Sequence, residues 1–276
     1  MSDKLIISVA ISGSDTPFSA SPHIPLTPRQ VADEAIASYE AGAAIVHIHA
    51  RDEEGEGTMD YKLYEETVNL IRQRNCPVVI NITSSGSQTA TDEDRLAAGI
   101  RNKAEIVSFD AGSMNYSNET MINTPPFLEK LAKALKENEI RPEIEVFEAG
   151  FIENAMRLAK KGLIDPPYWF QFVLGVPGGM AATVRNLTFL VDSLPPGARW
   201  SALGVGRMHL PILYATLAMG GHIRVGIEDN IYYRRGQLVK SNAEFVKRAA
   251  RLAEEMERPL ASPDDAREML QLKCKA

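Results

Sequence analysis

The chain has 276 residues, of which 45% are hydrophobic and 24% charged, and a formal net charge of -6. These values are typical of a soluble globular protein, and the acidic balance, with no dense stripe of Lys and Arg, argues against a nucleic-acid binder. No apolar run approaches the roughly 20 residues that a membrane span requires. The N-terminus has no signal-peptide layout, and Cys76 and Cys274 show no metal-binding spacing, so we expect a cytoplasmic protein.

Eight short apolar runs alternate with eight amphipathic stretches along the chain. The apolar runs predict strands, and the amphipathic stretches predict helices near residues 28–41, 61–74, 92–101, 126–138, 150–162, 180–192, 208–219 and 236–256. The predicted strands are Leu5–Ala10, Ala44–Ile48, Val78–Ile82, Ile106–Phe109, Glu143–Phe147, Tyr168–Leu174, Arg199–Leu203 and Ile223–Gly226.

This alternation predicts the α/β class with a parallel sheet, and eight units in about 250 residues favour a single-domain (β/α)8 TIM barrel over a doubly wound sheet. We place the one domain at residues 1–276, with a long polar loop at about 12–28 after the first strand. A weakly patterned C-terminal extension at about 259–276 is expected to wrap the barrel or to pack on a partner subunit.

Two histidines at the end of the second predicted strand are the clearest chemical signal. His47 and His49 are two positions apart, so their side chains share one face of the strand. Two core imidazoles with ordinary hydrogen-bond partners are the alternative, but adjacent inward-facing imidazoles would both need such partners. We therefore expect a transition-metal site, because paired imidazoles are half of one.

The remaining ligand is expected at the end of the eighth predicted strand, which is next to the first strand in a closed barrel. There Glu228 could complete a His-His-Glu site, and three protein ligands with an open position are typical of catalytic zinc. If the strand continues, Glu228 and Asp229 face opposite directions. The alternative to a metal site is that both carboxylates lie in solvent where the strand passes into a loop. Asp229 is a candidate general base, and Arg224 is a candidate group to orient it or to bind an anion.

The motifs HIHARD (His47–Asp52), RVGIEDN (Arg224–Asn230) and EVFEAGF (Glu145–Phe151) together resemble the β-keto acid cleavage enzymes. The G-S-D-T-P and P-L-T-P segments and SNAEFVKRA add to the resemblance, which extends over nearly the whole chain. It implies a zinc-binding (β/α)8 barrel that exchanges an acyl unit between a β-keto acid and acetyl-CoA, giving acetoacetate and a new acyl-CoA. Homotetramers are frequent in the family.

The resemblance also implies roles for individual residues. His47, His49 and Glu228 become the zinc ligands, Asp229 the base that removes the α-proton, and Arg224 the group that holds Asp229 or a substrate carboxylate. Substrate contacts are expected at Thr83, Ser84 and Gly86, with an ordinary capped turn as the alternative. Glu145 is expected to contact substrate or to support the site, with a buried structural carboxylate as the alternative.

Two further positions concern the far end of the substrate and the coenzyme. Either Ser14 or Asp15 faces the distal group, Asp15 suiting a cationic substituent and Ser14 a neutral or hydroxylated one. Given a coenzyme A substrate, Gly206 and Arg207 are expected to contact its phosphates, because loops after the seventh strand often bind phosphate. A simple tight turn is the alternative, and no GxGxxG fingerprint indicates a nicotinamide cofactor.

Three other functions remain open from the sequence. A metal-dependent hydrolase of the amidohydrolase type also uses HxH in a barrel, but His23, His209 and His222 do not fall near the ends of the fourth to sixth strands. A metal-dependent acyl-CoA lyase would share the enolate chemistry without an acceptor. A barrel retained as a non-catalytic metal-binding protein is the third.

Overall fold

A computed structural model describes residues 4–87 and 89–273. Eight parallel strands form a closed barrel in which neighbours along the chain are neighbours in the sheet, and the last strand pairs with the first. The predicted TIM barrel is confirmed. The strands are β1 (Ile7–Ala10), β2 (Ile45–Ile48), β3 (Val79–Ile82), β4 (Ile106–Asp110), β5 (Arg141–Val146), β6 (Trp169–Leu174), β7 (Arg199–Gly204) and β8 (His222–Val225).

Helices follow the strands around the outside of the barrel. Several begin at side-chain caps that the sequence provides: the Thr27 side chain accepts from the Gln30 backbone N–H, and Thr91 does the same for Asp94. The helices are α1 (Pro28–Glu40), α2 (Tyr61–Gln73), α3 (Asp92–Arg101), α4 (Pro125–Glu137), α5 (Gly150–Lys160), α6 (Val184–Asp192), α7 (His209–Ala218), α8 (Asn242–Glu255) and α9 (Pro263–Leu270).

Two predicted helices begin later than the apolar pattern suggests. α6 starts only after Thr183, whose side chain caps it. The predicted start of α8 at residue 236 is wrong because Tyr232–Arg234 pairs with Gln237–Leu238 as an antiparallel hairpin, which occupies the loop after β8. Two more hairpins lie after β2 (Ala50–Arg51 with Gly57–Thr58) and after β4 (Met114–Tyr116 with Glu119–Met121).

The C-terminal segment closes the amino-terminal end of the barrel. Leu5 pairs with Leu260, and α9 then packs Ala266 and Leu270 against the lowest layer of barrel side chains, which includes Ile45 and Trp169. The α9 start is set by Ser262, whose side chain caps the helix. With this end sealed by apolar contacts, the carboxyl ends of the strands are the side on which ligands can enter.

Two features of the chain concern membrane insertion and the state of its cysteines. No helix within residues 4–87 and 89–273 is long and apolar enough to cross a membrane. Cys76 is a free thiol, and Cys274 lies outside the described residues.

Candidate metal and acyl-transfer site

Three ligand atoms converge at the carboxyl ends of β2 and β8. The Nε2 atoms of His47 and His49 are 3.1 Å apart. The carboxylate of Glu228 lies 3.7 Å from His47 Nε2 and 3.6 Å from His49 Nε2. Ligand atoms at about 2.0–2.2 Å from a tetrahedral zinc are spaced by roughly 3.3–3.6 Å, so these separations suit one metal ion.

Burial and charge prepare these side chains for a cation. Burial holds the pKa of His47 well below its usual range, which keeps the imidazole neutral. Burial by itself would raise the pKa of Glu228, but Arg224 and the neighbouring imidazoles hold it well below its usual range. The Oε2 atom of Glu228 is buried and accepts no hydrogen bond within the described residues. Two imidazoles and an ionised, incompletely satisfied carboxylate are a donor set that fits a divalent metal.

The turn after β8 explains why Glu228 reaches the histidines. The strand ends at Val225, and Gly226 takes φ +147°, where a Cβ would lie 2.0 Å from the Ala10 carbonyl oxygen. Asp229 and Asn230 then donate their N–H groups back to the Gly226 carbonyl. Because the strand does not continue, the expectation that Glu228 and Asp229 face opposite directions does not apply, and both carboxylates turn towards Arg224.

Arg224 is the hub of the buried charge network. Its guanidinium donates to both oxygens of Asp229 at 3.1 Å, to Glu145 at 2.8 Å, and to Glu228. Burial raises the pKa of Asp229 to about 6, against the opposing charge of Arg224 and with a further contribution from Glu228. A carboxylate with a fixed orientation and a pKa near neutrality has the properties of a general base.

Asp110 is a site residue that the sequence did not single out. It is aligned with Glu145 across β4 and β5, and both buried side chains line the same cavity. Burial raises the pKa of Glu145 well above its usual range, against the charge of Arg224, and Asp110 adds to the shift by charge and by a hydrogen bond. Asp110 and Glu145 therefore form a buried acidic pair in the cavity wall, next to Arg224, which Glu145 contacts.

A cavity of about 320 Å³ lies over these groups. Of the predicted substrate contacts, Ser14, Asp15, Thr83 and Glu145 line it. Ser84 does not: its hydroxyl donates to the Ser108 carbonyl at 2.8 Å and fixes the loop to β4.

The two residues after Ser84 take different positions. Ser85 lines the cavity instead of Ser84. Gly86 lies in an adjoining outer cavity of about 500 Å³, where its N–H donates to Met59 Sδ at 3.1 Å.

The loop that carries Ser14 and Asp15 is held by a buried arginine of the HIHARD motif. Arg51 donates to the carbonyl oxygens of Gly13 at 3.0 Å and Thr16 at 2.8 Å, and also to Gly55 at 2.8 Å in its own hairpin. This arginine therefore fixes the position of the long loop over the mouth of the barrel.

Gly206 and Arg207, the residues expected to contact coenzyme A, differ in their exposure to solvent. The Gly206 N–H donates to the Asp229 carbonyl at 2.9 Å, so this amide is engaged within the protein. Arg207 is exposed and forms no salt bridge within the described part of the chain. The loop after β7 thus supports the backbone at Asp229 and presents one cationic side chain to solvent.

Comparison with known proteins decides the family. A family model described as beta-keto acid cleavage enzyme matches residues 4–272. The chain belongs to the β-keto acid cleavage enzyme family. Among its relatives is a 3-keto-5-aminohexanoate cleavage enzyme from Fusobacterium nucleatum, which is 40% identical over 99% of this chain and 100% of its own length.

Other members of the β-keto acid cleavage enzyme family carry different names. A 3-dehydrocarnitine:acetyl-CoA trimethylamine transferase from Rhizobium meliloti is 33% identical over 99% of this chain and 98% of its own length. A 3-oxoadipate:acetyl-CoA acetyltransferase from Cupriavidus necator is 32% identical over 99% of this chain and 96% of its own length. These names indicate transferases that use acetyl-CoA, so the amidohydrolase-type alternative is set aside.

The fold of this β-keto acid cleavage enzyme is also found in solved structures. ObcA in a ternary complex with a C4-CoA adduct and oxalate aligns with a TM-score of 0.79, over 91% of this chain and 68% of that chain, at 20% identity. Apo ObcA aligns with a TM-score of 0.83. At this identity the likeness supports the barrel fold alone. Within the described residues, His47, His49 and Glu228 are the one group of three or more potential ligands close enough to hold a metal.

Proposed function

We propose that this protein condenses a β-keto acid with acetyl-CoA and releases acetoacetate and a new acyl-CoA, with one zinc ion at His47, His49 and Glu228. The observation that carries the proposal is the convergence of this ligand cluster with Asp229 at one cavity, in a chain of the β-keto acid cleavage family. Bound there, the metal supplies a Lewis acid that stabilises negative charge on the keto oxygen.

Asp229 removes the proton from the carbon between the keto and carboxylate groups, and Arg224 holds both carboxylate oxygens in place for this transfer. The resulting carbanion bonds to the acetyl carbon of acetyl-CoA, and coenzyme A passes to the former keto carbon. The bond between that carbon and the α-carbon then breaks, and the proton returns from Asp229 to the acetoacetate carbanion. We assign the contact with the substrate carboxylate to Thr83 and Ser85, a choice that their position in the cavity wall supports.

The test is to incubate the protein with β-keto acids and acetyl-CoA and to measure acetoacetate. Acyl exchange predicts acetoacetate and a new acyl-CoA in equal amounts, whereas cleavage by water without acetoacetate would overturn the assignment. The Asp229→Asn variant is expected to keep its zinc and to lose about 10²–10⁴-fold in kcat. Loss of zinc in this variant would mean that base and ligand are misassigned.

We propose further that the substrate carries a cationic distal group, which Asp15 binds. Asp15 lines both the inner cavity and the outer one, and the outer cavity also has Asp52, Glu56 and Glu119 in its wall. Asp15 accepts hydrogen bonds from the hydroxyls of Ser14, at 3.3 Å, and Tyr116, but within the described residues no lysine or arginine forms a salt bridge with it, so a cationic ligand can. The relatives named for an aminohexanoate and for dehydrocarnitine support this choice.

Matched substrates test this assignment. A β-keto acid with a 5-amino group should react faster than its 5-hydroxy counterpart, and Asp15→Asn should remove that preference. A charge-assisted hydrogen bond of about 1.5–3 kcal/mol corresponds to roughly 10–150-fold in kcat/KM. Ser14→Ala is the neighbouring control and should keep the preference; if it, and not Asp15→Asn, abolishes the preference, the distal group contacts Ser14.

We propose a homotetramer and a cytoplasmic location, on the strength of the family resemblance. Light scattering of the purified protein tests the first, and a monomer would refute it. Fractionation of the producing cell tests the second, and recovery with the membrane or secreted fraction would refute it.

A further inference from the structure

The mouth of the barrel is divided by charge. The loops after β1, β2 and β4 carry seven acidic side chains: Asp15, Asp52, Glu53, Glu54, Glu56, Asp60 and Glu119. Arg51 is the one arginine or lysine in those loops, and it is buried and donates to backbone carbonyls. A polyanionic co-substrate is therefore repelled from this side.

The β7–β8 side of the mouth, which adjoins the β1 loop around the barrel, is cationic. The loops after β7 and β8 carry Arg207, Arg234, Arg235 and Lys240, all exposed and all without a salt bridge within the described residues. The two acids of these loops, Glu228 and Asp229, are bound to the buried Arg224. An anion that approaches the cavity is thus attracted to the β7–β8 side.

The hairpin Tyr232–Leu238 presents two of these arginines on a fixed support. Arg248 of α8 donates to the Tyr233 carbonyl at 2.6 Å and stacks its guanidinium 3.4 Å from the centre of the Tyr233 ring. The Asn230 side chain donates to the Tyr232 carbonyl at 2.6 Å and accepts from the Tyr232 N–H at 3.1 Å. The hairpin is therefore anchored at its base, with Arg234 and Arg235 at its tip.

The position of the hairpin links it to the reacting groups. It starts three residues after Asp229, whose carbonyl also accepts from Gly206 of the β7 loop. The chain from Asp229 to the tip spans at most roughly 20 Å, a length that an extended pantetheine arm can cover. Tyr232 is 48% exposed, so the hairpin also presents an aromatic ring to solvent, and the Arg234 guanidinium lies 5.7 Å from the centre of the neighbouring Tyr233 ring.

We propose that this hairpin binds the ADP moiety of acetyl-CoA, with Arg234 and Arg235 on the phosphates and Tyr232 against the adenine. This inference rests on the proposed use of acetyl-CoA. It assigns the coenzyme to the β7–β8 loops and the keto acid to the acidic loops, so the two substrates reach Asp229 over different loops of the mouth. Arginine pairs phosphate oxygens in two parallel hydrogen bonds, and aromatic rings stack on purines, so the residue types match the ligand.

The test compares acetyl-CoA with acetyl-pantetheine, which lacks the ADP moiety. The double variant Arg234→Ala/Arg235→Ala should raise KM for acetyl-CoA at least tenfold, with kcat within twofold, and leave both constants for acetyl-pantetheine unchanged. Added salt should raise KM for acetyl-CoA in the unaltered protein and much less in the variant. The control Lys160→Ala/Lys161→Ala removes two charges at the end of α5 and should change neither the KM for acetyl-CoA nor its dependence on salt.

Calorimetric titration with coenzyme A separates this inference from the proposed reaction. Weaker binding to the double variant than to the unaltered protein supports the hairpin site even if no acetoacetate forms. Equal binding, an unchanged KM for acetyl-CoA, or a variant whose only change is in its oligomeric state would each overturn it. The last result would make the hairpin an interface between copies of the chain.

Discussion

Replacing Gly13 with alanine should separate backbone strain from damage to the metal-ligand cluster. Gly13 lies beside the cluster with φ +60°, and a Cβ there would be 2.7 Å from Cγ of Glu228. Left-handed backbone costs an alanine about 1–2 kcal/mol. Since carbon atoms in contact are about 3.5 Å apart, the Glu228 side chain must also move by about 0.8 Å. Such a shift of a ligand should weaken zinc binding by at least about tenfold.

Gly162 provides the matched control for this experiment. It has φ +71°, and a Cβ there would meet no atom within 4 Å, so Gly162→Ala adds strain without a clash. Urea unfolding of the metal-free proteins should show that both variants lose about 1–2 kcal/mol, and competition with a chromophoric chelator should show a loss of zinc affinity for Gly13→Ala alone. Equal zinc affinities of the two variants would refute the argument that Gly13 makes room for Glu228.

Three further predictions address the loop, the floor of the barrel and pH. Arg51→Ala should release the loop that carries Asp15 and lower kcat/KM for the keto acid by up to about 100-fold without loss of zinc; unchanged kinetics would contradict this. Leu270→Ala empties a fully buried position of α9 and should lower the free energy of unfolding by about 2–5 kcal/mol, with the zinc affinity of the folded protein unchanged. Lys4 and the Ser262 cap lower the pKa of Asp265 from 3.8 to about 2. Its contribution to stability is therefore present above pH 4 and lost as the pH falls towards 2. In that window the urea midpoint of unfolding should depend less on pH in the Asp265→Asn variant than in the unaltered protein.

The barrel and the convergence of His47, His49 and Glu228 could be predicted because both follow from local patterns and closure. Eight alternating runs imply a parallel barrel, and closure places β8 beside β1, which in turn pairs Ala10 with His47 of β2. The separation of 181 residues between His47 and Glu228 therefore posed no obstacle. Helix α9 carried the usual signal, a serine cap followed by Pro263 and Asp265, but its weak apolar pattern hid it.

What the sequence could not provide is the direction of individual side chains beyond the strand ends. Ser84 and Ser85 are the same residue type at adjacent positions, so the sequence does not distinguish them. Only Ser85 lines the cavity, because the Ser84 side chain is hydrogen-bonded to β4. Asp110 gains its significance from its register with Glu145, which no local pattern records. The arginines of the hairpin after β8 look like ordinary surface until the acidic loops are seen to occupy the other side of the mouth. Charge is therefore informative here through its position around the barrel, and the total of -6 conceals a cationic side suited to a polyanion.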